Sequence, residues 1–186
     1  MKAGKLSFFV NLVLVVVAVV LFISALSLPY MVEKTKLSKT EITLTKLTIT
    51  TGKVSNTVNI KDMCHEDSDT KACKLYKGSD ALITLTTFGM ACLVAAGVLI
   101  VLGLFCSMGK KFSKLFNFAY LGTTIAGFVL FLVSFIEYTV IAEDILSEYS
   151  KYGSGWILYL VSMIVSLVIL VVSLLAVLCK DGYQAI

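Results

Sequence analysis

Four apolar runs, at about residues 6–28, 81–106, 115–141 and 155–179, dominate this sequence. Each exceeds the roughly 18 consecutive apolar residues that mark a membrane span. In hydrocarbon every backbone polar group needs an internal partner, so runs of this length fold as helices. The expected fold class is therefore membrane α-helical: one four-span domain covering 1–186, a transmembrane four-helix bundle. Composition agrees, with 58% hydrophobic residues, a mean hydropathy of +0.93 and a single proline among 186 residues. Lys2 and Lys5 precede the first run and Ala25-Leu26-Ser27 looks like a cleavage site. An apolar stretch this long is nonetheless read as an uncleaved span.

The first loop, 29–80, is the only long polar segment. Apolar and β-branched residues alternate through Pro29-Tyr30-Met31-Val32, Glu41 to Thr45 and Leu47 to Thr50, the period of half-buried strands. The phase slips at Lys46-Leu47, where a bulge is expected. Gly52-Lys53 is a turn, and Val54, Asn56, Val58 and Ile60 resume the alternation, giving an antiparallel hairpin. A further short strand is expected at Lys74-Leu75-Tyr76. Some fifty residues with few large hydrophobes bury little core, so one disulfide between Cys64 and Cys73 is expected to close this small antiparallel sheet and hold its two halves together.

Charge fixes the expected orientation. Lys2, Lys5 and the short segment with Lys110, Lys111 and Lys114 are basic, whereas the loop at 142–154 carries Glu143, Asp144 and Glu148 against Lys151. The positive-inside rule places both termini in the cytosol and the two larger loops outside the cell or in a lumen. A net charge of +4 is no nucleic-acid signal here, because all 16 basic residues are lysines spread over several loops.

Small and polar residues mark the expected helix contacts. Ser7, Asn11, Ala18 and Ala25 form one stripe on the first span, and Ser162, Ser166 and Ser173 form another on the fourth. Gly89, Ala91, Ala95, Ala96, Gly97 and Gly103 on the second span, with Ala119, Gly122, Thr123, Ala126 and Gly127 on the third, are read as close packing in a left-handed bundle. Asn11 and Glu137 are the intramembrane polar candidates. Each is read first as structural, and second as part of an ion path. Tyr138, Tyr149, Tyr152, Trp156 and Tyr159 are read as an interfacial aromatic belt.

The order of these features resembles the claudin and peripheral-myelin-protein superfamily over nearly the whole chain. The resemblance rests on Leu28-Pro29-Tyr30 ending the first span, a β-rich loop with Cys64 and Cys73, a brief basic loop, and Tyr152-Gly153-Ser154-Gly155-Trp156 opening the last span. It implies a four-helix bundle carrying a disulfide-bonded sheet. Met31 and Lys61-Asp62-Met63 stand where claudins carry tryptophan motifs. The carboxyl end, Gly182-Tyr183-Gln184-Ala185-Ile186 in the tail at 180–186, is similar to the sorting signal of lysosome-associated membrane glycoproteins. Such a tail implies a clathrin adaptor that takes Tyr183 and Ile186 into two pockets. Cys106 and Cys179, at cytosolic span ends, are candidates for palmitoylation.

No enzyme motif, cofactor site or glycosylation sequon is present in the sequence, and His65 beside Glu66, Asp67 and Asp69 is read as a solvated turn. The leading expectation is a structural or interaction protein of endosomal or lysosomal membranes that engages itself or another membrane protein through its luminal loop. A pore component using Glu137 and Asn11 is the second reading, and a cell-surface adhesion or barrier protein the third. The tail reading makes a measurable statement: Tyr183→Ala and deletion of Ile186 each raise the surface-biotinylated fraction several-fold over wild type. Equal distribution of all three proteins would make the tail inert.

Overall fold

A computed structural model of the chain describes residues 3–35, 37–64, 70–105, 110–145 and 150–178. It contains α1 (Ala3–Ser27), β1 (Met31–Lys34), β2 (Ser38–Ile42), β3 (Lys46–Thr51), β4 (Val54–Asn59), a 3-10 turn (Lys61–Met63), α2 (Lys71–Phe105), α3 (Lys110–Ile145), β5 (Ser150–Tyr152) and α4 (Ser154–Leu178). All four helices are long and apolar enough to cross a membrane, over Phe9–Ser27, Cys73–Gly103, Leu115–Glu143 and Ser154–Leu175. The chain divides into two compact units, and each holds a segment of every helix.

The first unit comprises Met1–Val20, Thr87–Phe131 and Ser162–Ile186. Its buried positions recur at alternating steps of three and four: Asn11, Val15 and Ala18 on α1; Gly89, Leu93, Ala96, Ile100 and Gly103 on α2; Tyr120, Thr124, Gly127 and Phe131 on α3; Ser162, Ser166, Ile169 and Ser173 on α4. That 3.5-residue period is the seam of left-handed helix packing. Glycine sets the closeness of the seam. A Cβ on Gly127 would lie 3.2 Å from the Gly89 carbonyl, and one on Gly89 would lie 2.7 Å from the Phe131 ring.

The second unit comprises Leu21–Thr86 and Leu132–Val161 and contains the whole sheet. The same period continues there through Phe22 and Ala25, Leu75 to Thr86, Ser134 to Tyr138, and Gly155 to Tyr159. The sheet is five-stranded and antiparallel, in the order β4-β3-β2-β1-β5. The expected hairpin is present, with Gly52 at a φ of +61° between β3 and β4. A glycine at the first central position of a two-residue loop makes the turn that matches strand twist.

Several local expectations are corrected. The phase slip at Lys46-Leu47 is a turn and not a bulge, because Thr43 bridges it: the Thr43 amide and hydroxyl donate to the Lys46 carbonyl (2.9 and 3.1 Å) and the Lys46 amide donates to Thr43 Oγ1 (3.0 Å). A hydroxyl thus supplies what glycine or proline usually supplies. Lys74-Leu75-Tyr76 is helical, since α2 starts at Lys71, ten residues before the expected span. Thr70 caps it, accepting from the Cys73 amide at 3.4 Å. Cys64 and Cys73 are disulfide-bonded. The bond ties the turn after β4 to the first turn of α2, and does not join two halves of the sheet, because every strand but β5 precedes Cys64.

β5, from the second loop, was not expected. Two backbone hydrogen bonds beside it latch the start of α4 to the segment after α1: Gly153 N–H donates to the Tyr30 carbonyl (2.7 Å) and Gly155 N–H to the Pro29 carbonyl (2.9 Å). A Cβ on Gly153 would collide with that Pro29 carbonyl, whereas nothing lies within 4 Å of one on Gly122. Gly153→Ala should therefore lower the melting temperature sharply or abolish recovery of folded protein, by about 2 kcal/mol or more. Gly122→Ala should fold as wild type; thermal unfolding followed by size-exclusion chromatography measures both.

Candidate functional site

In the first unit a hydrogen-bonded chain ties three helices. Asn11 Nδ2 on α1 donates to the Tyr120 hydroxyl on α3 (2.7 Å) and contacts Ser173 Oγ on α4 (3.3 Å). Tyr120 and Ser173 hydroxyls lie 2.6 Å apart, and Ser173 donates to the Ile169 carbonyl (2.6 Å). With the Ser173 proton on Ile169, Tyr120 donates to Ser173, so the protons run in one direction from Asn11 to the α4 backbone. Asn11 Oδ1 has no hydrogen-bond partner among the described residues. The residue that the sequence marked as polar is thus an interhelical hub. Tyr120, fully buried, is the partner that sequence reasoning missed.

The second unit repeats the device with other residues. Tyr159 on α4 meets Thr86 Oγ1 on α2 (2.8 Å) and Ser134 Oγ on α3 (2.7 Å). Around it Phe135 stacks at 5.5 Å, Phe22 meets it edge-on at 5.0 Å, and Tyr30 lies at 6.4 Å, itself edge-on to Tyr138 at 5.3 Å. Tyr138 and Tyr159 are therefore core and not an interfacial belt, because both side chains are buried, hydroxyl included. Burial, with Tyr159 and Tyr138 nearby, pushes the Tyr30 phenol well above its ordinary ionisation range. Tyr30, Ser79 and Tyr138 hydroxyls complete no hydrogen bond among the described residues; Ser79 lies beside Tyr138 without hydrogen-bond geometry. Only Tyr152 and Trp156 keep a belt-like character, stacked at 4.2 Å with Tyr152 exposed.

Glu137 is not brought to either network. It is exposed on α3 between Ile136 and the buried Tyr138, with Val133 and Val140 also exposed, and makes no ion pair among the described residues. The small residues of α3 divide as well: Gly127 is inward, whereas Ala119, Gly122 and Ala126 are exposed, as are Ala91 and Ala95 on α2. A groove of about 420 Å³ between α1 and α2 in the first unit is walled by Val and Leu with Gly97, and offers no polar atom to an ion. Cys106, Cys179, His65, Tyr149, Gly182, Tyr183 and Ile186 lie outside the described residues, and no metal-ligand cluster occurs among those described.

The sheet presents two unlike faces, fixed by the strand register. One carries Met31, Ile42, Leu47, Ile49, Val54, Val58 and Tyr152, with Glu33 and small polar residues such as Thr40 and Asn56 among them; the other carries Val32, Lys34, Lys39, Glu41, Lys46, Thr48, Thr50, Ser55, Thr57, Asn59 and Lys151. Hydroxyls pair across the second face, Thr48 with Thr57 at 3.2 Å and Thr50 with Ser55 at 3.4 Å. β4 is an edge strand, and all six of its residues are exposed. The chain matches no family model and no curated protein.

A structural role for the Asn11 hub makes a specific statement. Tyr120→Phe removes two interhelical bonds, from Asn11 and to Ser173, and leaves Asn11 only the longer contact to Ser173 Oγ, so it should destabilise by about 1–2 kcal/mol. Glu137→Gln should change stability by less than about 0.5 kcal/mol. Thermal unfolding in one detergent compares the two, and a Glu137 effect exceeding that of Tyr120 would reverse the assignment.

Proposed function

We propose that this chain is a structural, interaction-type membrane protein that associates with itself through the free edge of its luminal sheet, in endosomal or lysosomal membranes. The single observation that carries the reading is β4. Val54-Ser55-Asn56-Thr57-Val58-Asn59 is fully exposed, with no charge, proline or bulge, and such an edge is a template for another strand. The Gly52 hairpin sets Thr51 and Val54 as the closing pair, so Val54, Asn56 and Val58 turn their backbone groups to β3 and Ser55, Thr57 and Asn59 turn theirs outward. Two copies then pair antiparallel about a two-fold axis at Asn56. Val54 of each copy meets Val58 of the other, and Ser55 meets Thr57 in a hydrogen-bonded pair.

The interaction reading is favoured over a pore because Asn11 is occupied by Tyr120 and Ser173, and Glu137 is exposed rather than turned to a polar interior. Delivery to endosomal membranes rests on the Gly182-Tyr183-x-x-Ile186 tail and a clathrin adaptor that takes it. Without that signal the same edge would serve adhesion at the cell surface. The register is tested by single cysteines in native membranes. Asn56→Cys, which meets itself across the axis, should give oxidised dimers well above the wild-type background, Ser55→Cys should give few, and Thr57→Pro should remove the Asn56→Cys dimer. Equal yields at both positions would sink this pairing.

A further inference from the structure

We infer that the hydroxyl-and-lysine face of the sheet is a binding surface for an anionic polysaccharide, a chain bearing sulfate or uronate groups. The inference does not depend on β4 pairing, since its cations lie on β1, β2, β3 and β5. Strand register places Lys34, Lys39, Lys46 and Lys151 on one face with a single carboxylate, Glu41, whereas the opposite face carries Glu33 and no lysine. Lys34, Lys46 and Lys151 are exposed. Glu41 is engaged by Lys39, which leaves the other three without an ion pair among the described residues.

The register also sets Lys34 directly opposite Lys39. Like charges directly opposite across a ladder destabilise the sheet they sit in; Glu41 offsets Lys39, and Lys34 is left without an offsetting carboxylate among the described residues. An anion laid over the pair removes the repulsion and gains two contacts. Beside the lysines, on β3 and β4, the Thr48–Thr57 and Thr50–Ser55 pairs extend the same face as a strip of hydroxyls. Such a strip donates to and accepts from sugar hydroxyls, while the ammonium groups meet sulfate or carboxylate. An acidic protein would use the charges but has little need of the strip, so a polysaccharide is the better fit. No aromatic side chain stands on this face, so recognition is by charge and hydrogen bonding and weakens with salt.

The test uses the full chain in nanodiscs of zwitterionic lipid, with heparin as the probe and poly-glutamate as its comparison. Heparin should bind in a salt-dependent manner and more tightly than poly-glutamate at equal charge. Changing Lys34, Lys39, Lys46 and Lys151 together to Gln should weaken it by roughly tenfold or more, while Lys53→Gln with Lys61→Gln, off that face, should not. Lys34→Gln alone should raise the melting temperature without heparin and shrink the rise that heparin produces in wild type. This opposition of stability and binding keeps the idea testable if the fourfold variant folds poorly. Binding that survives in the fourfold variant would assign it to lysines elsewhere and overturn the inference. Equal or tighter binding of poly-glutamate would point to an acidic protein and overturn it too, as would a Lys34→Gln protein that melts below wild type.

Discussion

In a helix surrounded by hydrocarbon, a side-chain hydroxyl or amide must find its partner inside the protein, and that requirement governs how these four helices face one another. Val and Leu are equally content against lipid or against a neighbouring helix, so they cannot choose a face. Asn11, Thr86, Tyr120, Ser134, Tyr159 and Ser173 can. Each is buried, and each hydrogen-bonds to a side chain on another helix. Small residues on the same 3.5-residue seam then let backbones approach, as where Gly127 faces the Gly89 carbonyl. The interior is accordingly more polar than the exterior, where Val16, Val20, Phe88, Phe118 and Val140 are exposed.

The sheet obeys a different rule, because it has almost no core of its own. Tyr30, Met31, Leu44 and Ile60 are the large side chains that it and its connections bury. Its form depends on local turn chemistry, on the latch from Gly153 and Gly155, and on a disulfide that constrains its exit into α2. Freed from packing a hydrophobic interior, β4 keeps all six of its side chains exposed, whereas Met31 on β1 is buried. The strand alternation that ordinarily separates core from solvent here separates a more apolar face from a basic, hydroxylated one.

The spans were legible because length alone defines them. Part of the seam was legible too: Asn11, Ala18 and Ala25, or Ser162, Ser166 and Ser173, stand out against Val and Leu at heptad spacing, and all are buried. The same logic failed on α3. Ala119, Gly122 and Ala126 tolerate either environment, so their size could not reveal that they are exposed. Tyr120 escaped notice because a tyrosine in a span carries no sign of where its hydroxyl ends, and Tyr138 and Tyr159 were misread for that reason. The Thr43 turn was hidden because it uses a threonine hydroxyl rather than glycine or proline. Three-residue β5 was invisible because its partner β1 lies more than a hundred positions away.

The two margins of the sheet differ in length: six residues of β4 on one side, three of β5 on the other. A long edge matched to a stub leaves half its backbone unsatisfied, so head-to-tail stacking of sheets is poorly supported, whereas the proposed long-against-long register matches five of the six residues, 54–58. The latter contact is isologous, and an isologous contact exhausts the surface that makes it. In the proposed β4 pairing this inequality of edges would act as a chain terminator. Edge-driven assembly would then stop at two copies, and a larger array would have to be built from a second contact elsewhere on the molecule.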